Sequence, residues 1–288
     1  MRLCEEYCPR LRQHIMMNLR YCLIIVGFMI AACATFADEI ARKGRDVFQM
    51  HKNAVVTVQA VIGMSFGGET RDREAWANGA VIDPSGLTVV SLNFLDPLSL
   101  FEGMDTQGGE MSSKVLAVKI LLPDARELPA VVALRDKDLD LAFLRPTHPP
   151  EGPMPYISLD NSAVPELLET VAVITQLGEV ARRAHCVLVE RIEAIVERPR
   201  SYYIMGSHRS RDVLSSPVFT LDGRFVGFGA MRAIRTARSR DFGDNVLVVV
   251  VPPADLREAI AQLPETPQGD DAPADDNNVV VLENNEES

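Results

Sequence analysis

Histidine is missing between Lys52 and Thr147, so no side chain in that stretch can serve as an imidazole base. Cysteine is equally unevenly placed. Cys4, Cys8, Cys22 and Cys33 all lie near the start, and beyond them only Cys186 remains. If the first 37 residues are removed, no internal disulfide can form. Lysine and arginine are absent from Glu265 to Ser288, where eight acidic residues supply most of the formal net charge of -11. That balance argues against a nucleic-acid partner. Nor is there an apolar run of the roughly 20 residues needed to span a bilayer. The longest uncharged stretch, residues 21–37, has 17.

That stretch reads as a signal-peptide core. Arg20 precedes it, and Thr35-Phe36-Ala37 forms a small-x-small cleavage site before Asp38. Met16 or Met17 makes a more natural start for such a leader than Met1. Residues 1–37 are therefore expected to be a signal peptide and the protein to be exported, either periplasmic or secreted. Ile30-Ala31-Ala32-Cys33 also fits a bacterial lipobox. The alternative is thus a leader ending before Cys33 and an outer-membrane lipoprotein, and membrane contact is expected only if Cys33 is lipidated.

The whole chain is 47% hydrophobic and 24% charged, enough for a sizeable core. Residues 38–52 carry Ile40, Val47 and Phe48 at helical spacing behind an acidic start. From Ala54 the pattern becomes short β-branched runs between Gly, Pro and Asp turns: AVVTVQAV, GAVID, GLTVVSL, VLAVKILL, PAVVAL and DLAFLR. After the proline-rich THPPEGP a second series follows: ETVAVITQ, HCVLVERIEAIVE, SYYIM, SPVFTL, RFVGFGA and NVLVVVV. PADLREAIAQL, opened by proline, is helical. The expected class is all-β. Residues 38–150 form the N-terminal helix and first barrel, and residues 151–263 the second barrel and C-terminal helix. Residues 264–288 form a disordered acidic tail, with 279–282 (Val-Val-Val-Leu) its only core-forming segment.

Three stretches carry a family resemblance. Residues 78–86 (NGAVIDPSG) resemble an SGFVIDPDG turn. Residues 120–145 (ILLPDARELPAVVALRDKDLDLAFLR) resemble a VTLPDGREFPAKVVGRDPDTDLALLK segment. Residues 217–228 (PVFTLDGRFVGF) resemble PLFNLDGEVVGI. In this order and spacing they resemble the trypsin-like serine proteases of the Deg/HtrA type. The resemblance implies two six-stranded β-barrels of the chymotrypsin/trypsin type, without room for the PDZ module that many such proteases carry.

The same resemblance locates the catalytic positions. In the family's TNAHVVD-like run Asn93 stands where the histidine belongs, and a carboxamide cannot act as general base. In the GNSGGP-like loop Leu214 replaces the nucleophilic serine, and Asp212 falls on the first glycine, at the oxyanion position. Asp140 matches the orienting aspartate, and its carboxylate is expected to accept a hydrogen bond from the Asn93 carboxamide.

No catalytic residue is therefore expected, and neither a cofactor nor a metal. The expected function is an inactive, exported pseudoprotease that binds a peptide or protein in the cell envelope. One alternative is an active serine endopeptidase with a rearranged triad, using Ser215 or Ser216 with His185 or His208. Another is a lipid-anchored envelope adaptor held by Cys33. Between Ala181 and Arg240 twelve arginines face five acids. Arg232, Arg235, Arg238 and Arg240 are candidate contacts for an anionic partner, the acidic tail included.

Overall fold

The computed structural model describes residues 39–66, 69–98, 111–124, 126–206, 213–233 and 246–264. The apolar runs form twelve strands. In the first half these are β1 (Val55–Phe66), β2 (Glu69–Val81), β3 (Thr88–Ser91), β4 (Met111–Leu121), β5 (Glu127–Asp136) and β6 (Leu141–Pro146). In the second they are β7 (Thr170–Gln176), β8 (His185–Val196), β9 (Tyr202–Met205), β10 (Pro217–Thr220), β11 (Phe225–Ala233) and β12 (Val246–Val251). Each set closes into an antiparallel barrel, in the order β1-β2-β3-β6-β5-β4 and β10-β11-β12-β9-β8-β7.

The strands read as continuous apolar runs because both of their faces are buried. Successive side chains on a strand point to opposite faces. In the first barrel Val56, Val58, Val90, Ala142 and Leu144 fill the interior. Their neighbours Val55, Val89, Leu141 and Phe143 point the other way, into a second cluster. From the second barrel Val171, Val173, Val248 and Val250 turn inward, while Ala172, Ile174, Val249 and Val251 join that same second cluster. The two barrels thus share an apolar seam, with Phe219, Phe225 and Phe228 at its centre.

The connection between barrels is stitched to both. Met154 and Ile157 donate their N–H groups to Pro84 and Val81, at 3.0 and 2.8 Å, and Phe225 donates to Asn161 at 2.8 Å. Helix α1 covers residues 39–51. Its last turn buries Val47, and His51 stacks on Phe219 with ring centroids 4.1 Å apart. Burial pushes the His51 pKa down. A one-turn helix α2 (Leu92–Leu95) follows β3, and α3 (Pro253–Ile260), with proline in its first turn, buries Leu256 and Ala259.

One element exceeds the sequence reading. β1, β2 and β4 continue as a three-stranded arm, paired as far as Phe66 opposite Glu69 on one side and Met111 on the other. β3 holds β2 only at Ala80 and Val81, and β5 holds β4 only from Val118 onward. The outer half of β2 is exposed and charged, so it gives no apolar alternation from which a strand could be read. Residues 1–38, where a signal peptide is expected, Asp212, Arg235, Arg238, Arg240, His208 and the tail beyond Pro264 lie outside the described residues.

Candidate functional site

A cleft of about 660 Å³ opens between the barrels. One wall is the arm, through Ile62, Met64, Arg73 and the β2 residues from Glu74 to Asn78. The opposite wall is the β7–β8 turn, through Thr175, Gln176, Leu177 and Arg183, and Asn93, Phe94, Leu214 and Ser215 also line the space. Thus Asn93 and Leu214, chosen from sequence alone, share one cleft. None of its described lining residues is a histidine.

Asp140 lies behind Asn93 rather than on the wall. The turn before it is closed by Asp136 Oδ1, which accepts from the N–H groups of Asp138 and Leu139 at 3.0 Å each. Asp140 itself takes a left-handed φ of 56°, a region that aspartate tolerates better than most residues. Its carboxylate is buried and receives three donors. Asn93 N–H reaches Oδ1 at 2.7 Å, while Ser91 Oγ and Met231 N–H both reach Oδ2 at 2.6 Å. Burial raises the Asp140 pKa to about 6, outweighing the opposing pull of these donors.

The sequence reading is corrected here. Asn93 does hydrogen bond to Asp140, but through its backbone rather than its carboxamide. The carboxylate's donors are this N–H on Oδ1 and Ser91 Oγ and Met231 N–H on Oδ2, while Asn93 also lines the cleft.

The loop carrying Leu214 is pressed against β11. Ser215 N–H donates to Gly229 O at 2.8 Å, and Gly229 N–H donates to Ser216 O at 2.9 Å. A Cβ at Gly229 would lie 2.1 Å from Val213 O, so only glycine permits this approach. Ser215 has a φ of 58°, the backbone of the glycine it replaces in the resembling loop. Its Oγ accepts from Ser91 N–H at 2.8 Å, and Ser215 is only 1% exposed. Leu214 packs against the second barrel's core and presents an alkyl group to the cleft.

Ser216 Oγ lies 3.3 Å from the Asn78 amide nitrogen, which also donates to Thr175 Oγ1. Asn78 Oδ1 accepts from Gln176 N–H at 3.1 Å, and Thr57 Oγ1 donates to Gln176 Oε1 at 2.5 Å. His185 Nε2 is 2.8 Å from Gln176 Nε2 and 2.9 Å from Val55 O. This polar bridge across the barrels went unread in the sequence, although Thr57, Asn78, Thr175 and Gln176 each interrupt or border an apolar run. Through it His185 is engaged by Gln176 and Val55 O. Among the described residues no group of three or more His, Cys, Asp or Glu side chains could hold a metal ion.

The arginine candidate that is described also lies off the cleft. Arg232 sits over the Tyr202 ring, 5.2 Å from its centroid.

Two closed six-stranded barrels with a carboxylate buried between them decide the architecture. The chain has the trypsin-like fold of HtrA-type proteases. Two solved structures are similar to it. One is the HtrA-type protease AlgW, a variant with a tripeptide, at 12% identity and a TM-score of 0.50; 76% of this chain and 62% of that chain are covered. Another is the apo protease domain of MamO from Magnetospirillum magneticum, at 14% identity and a TM-score of 0.45, covering 73% of this chain and 97% of that one. No protein-family model and no curated protein matches the sequence.

A trypsin-like site needs a nucleophile, a base to take its proton and a carboxylate to orient the base. At the positions that the resemblance assigns to nucleophile, base and carboxylate stand Leu214, Asn93 and Asp140.

Proposed function

We propose that the protein is an exported pseudoprotease, inert in acyl transfer, whose cleft holds an extended peptide or protein segment in the cell envelope. The observation that carries this reading is the replacement of the reacting groups within a kept scaffold. Leu214 offers no nucleophilic atom, Asn93 offers no base, and the neighbouring Ser215 hydroxyl is turned inward to Ser91 N–H. Binding is supported by the character of the cleft, where Met64, Trp76, Phe94 and Leu177 surround the polar Asn78 and Gln176. Apolar walls with a few fixed polar groups suit a peptide. The tripeptide present with AlgW, a protein of the same fold, points the same way.

The leader supports the location. An N-terminus at Asp38 in protein recovered from the envelope is the expected result, and a diacylated Cys33 would make it a lipid-anchored adaptor instead. The functional test is incubation of the chain with casein. Retention of uncut casein is expected. Hydrolysis would overturn the inactive assignment, and failure to retain any unfolded polypeptide would overturn the peptide-holding one.

A further inference from the structure

The cleft has an open backbone edge. Ile82 N–H donates to Leu87 O at 2.8 Å where β2 meets the start of β3. By the two-residue alternation of a strand, the backbone groups of Ala80, Asn78, Trp76 and Glu74 point the same way. Among the described residues β3 covers only Ala80 and Val81 of that edge. Among the described residues Trp76 and Glu74, which line the cleft, therefore have no strand partner on that side. Such an edge is a template for an added strand, and natural proteins cover or blunt it.

The chain itself carries a segment of the right kind. Residues 279–282 (Val-Val-Val-Leu) are strongly β-forming, and they are the only apolar run in a tail of otherwise acidic and amide character. They are flanked by Asp275 and Asp276 on one side and Glu283 on the other. Across the cleft Arg73 and Arg183 line the two walls, and neither has an ion-pair partner among the described residues. Reach is sufficient. Fourteen residues lie between Pro264 and Val279, and extended they span about 50 Å, whereas a compact domain of about 220 residues has a radius of gyration of about 17 Å.

We propose that residues 279–282 occupy the cleft in cis, adding as a strand to the free edge of β2 with their acidic flanks toward Arg73 and Arg183. This rests on the cleft being a peptide site, and it makes the tail an internal competitor for the partner. A tethered segment acts at high effective concentration, so even weak pairing keeps the cleft closed until a better ligand arrives.

The single tryptophan of the chain reports on this directly. Trp76 is 46% exposed with the cleft open, and a strand laid along β2 would shield it. The experiment compares the full chain with the full chain carrying Val280→Asp and Val281→Asp, by Trp76 emission and acrylamide quenching. The variant should emit at longer wavelength and be quenched more strongly. A synthetic peptide of residues 275–286, added to the variant, should reverse both changes in a saturable way. Retention of casein should be stronger in the variant than in the wild type. Identical emission and quenching in the two proteins, or no response of the variant to the peptide, would overturn the assignment. If Trp76 does not respond but casein is retained equally by both proteins, only the tail assignment falls. If neither protein retains casein, the peptide-binding reading itself falls.

Discussion

Asp140 is a buried carboxylate with three donors, in the place where a protease would pair it with an imidazole. Burial holds its folded-state pKa near 6, above the 3.8 of an exposed aspartate. Between those values the folded protein keeps a proton that the unfolded chain has lost, so this residue's contribution is fully present below about pH 4 and is lost as pH rises through 6. The shift corresponds to roughly 3 kcal/mol. Chemical denaturation of wild type and Asp140→Asn at pH 4 and pH 7 should show the wild type losing about that much more on going to pH 7. A difference independent of pH would mean that the three donors keep Asp140 ionised throughout.

Ser215 gives a second test at the same scale. Alanine there would leave the buried Ser91 N–H without its acceptor, at about 1–3 kcal/mol, and would keep a side chain at φ 58°. Glycine loses the acceptor but relieves the backbone. Ser215→Ala should therefore be less stable than Ser215→Gly by about 1 kcal/mol. Equal stability would show that the loop does not hold the left-handed conformation in solution. The sequence exposed these positions because the resemblance fixed their alignment. It could not expose the Ser91 hydroxyl, since an apolar strand ending in serine carries no sign that the hydroxyl reaches a carboxylate 49 residues later.

Among elements, the site is the meeting point of the end of β3, helix α2, the start of β6, β11 and the loop at 213–216. Restoring one group on each does not restore their mutual geometry. Asn93→His with Leu214→Ser returns a base and a nucleophile, yet the imidazole must share Asp140 with the donors it already has, Asn93's own N–H, Ser91 Oγ and Met231 N–H. Asp212, which the resemblance aligns with the first glycine of the oxyanion loop, also remains, and loss of one oxyanion donor costs roughly 10²–10³ in rate. The double variant is expected to leave casein uncut. Measurable hydrolysis is expected only when Ser91→Ala, Asp212→Gly, Ser215→Gly and Ser216→Gly are added. Strong activity in the double variant would show that neither Ser91 nor the loop blocks catalysis. At this scale the strand cores were legible in sequence, down to the linker between barrels. The arm was not, because its outer residues are exposed and charged, and their pairing is inherited from β1 rather than driven by burial.

For the molecule as a whole, the barrels share one apolar seam, and the polar bridge from Asn78 and Thr57 to Thr175 and Gln176 lies over it. The seam and the Asp140 donors hold the cleft in shape, and neither requires a nucleophile or a base. The fold could be read from the order of three short motifs. That Asn93 and Leu214 share one cleft could be read from the same alignment, whereas function depends on the identity of single atoms there. The central claim is that the kept scaffold no longer carries an activated serine. Intact-mass measurement after exposure of the full chain to a fluorophosphonate probe tests it most directly. The account predicts an unchanged mass, with Ser215 and Ser216 unmodified. A stoichiometric adduct on either serine would contradict it.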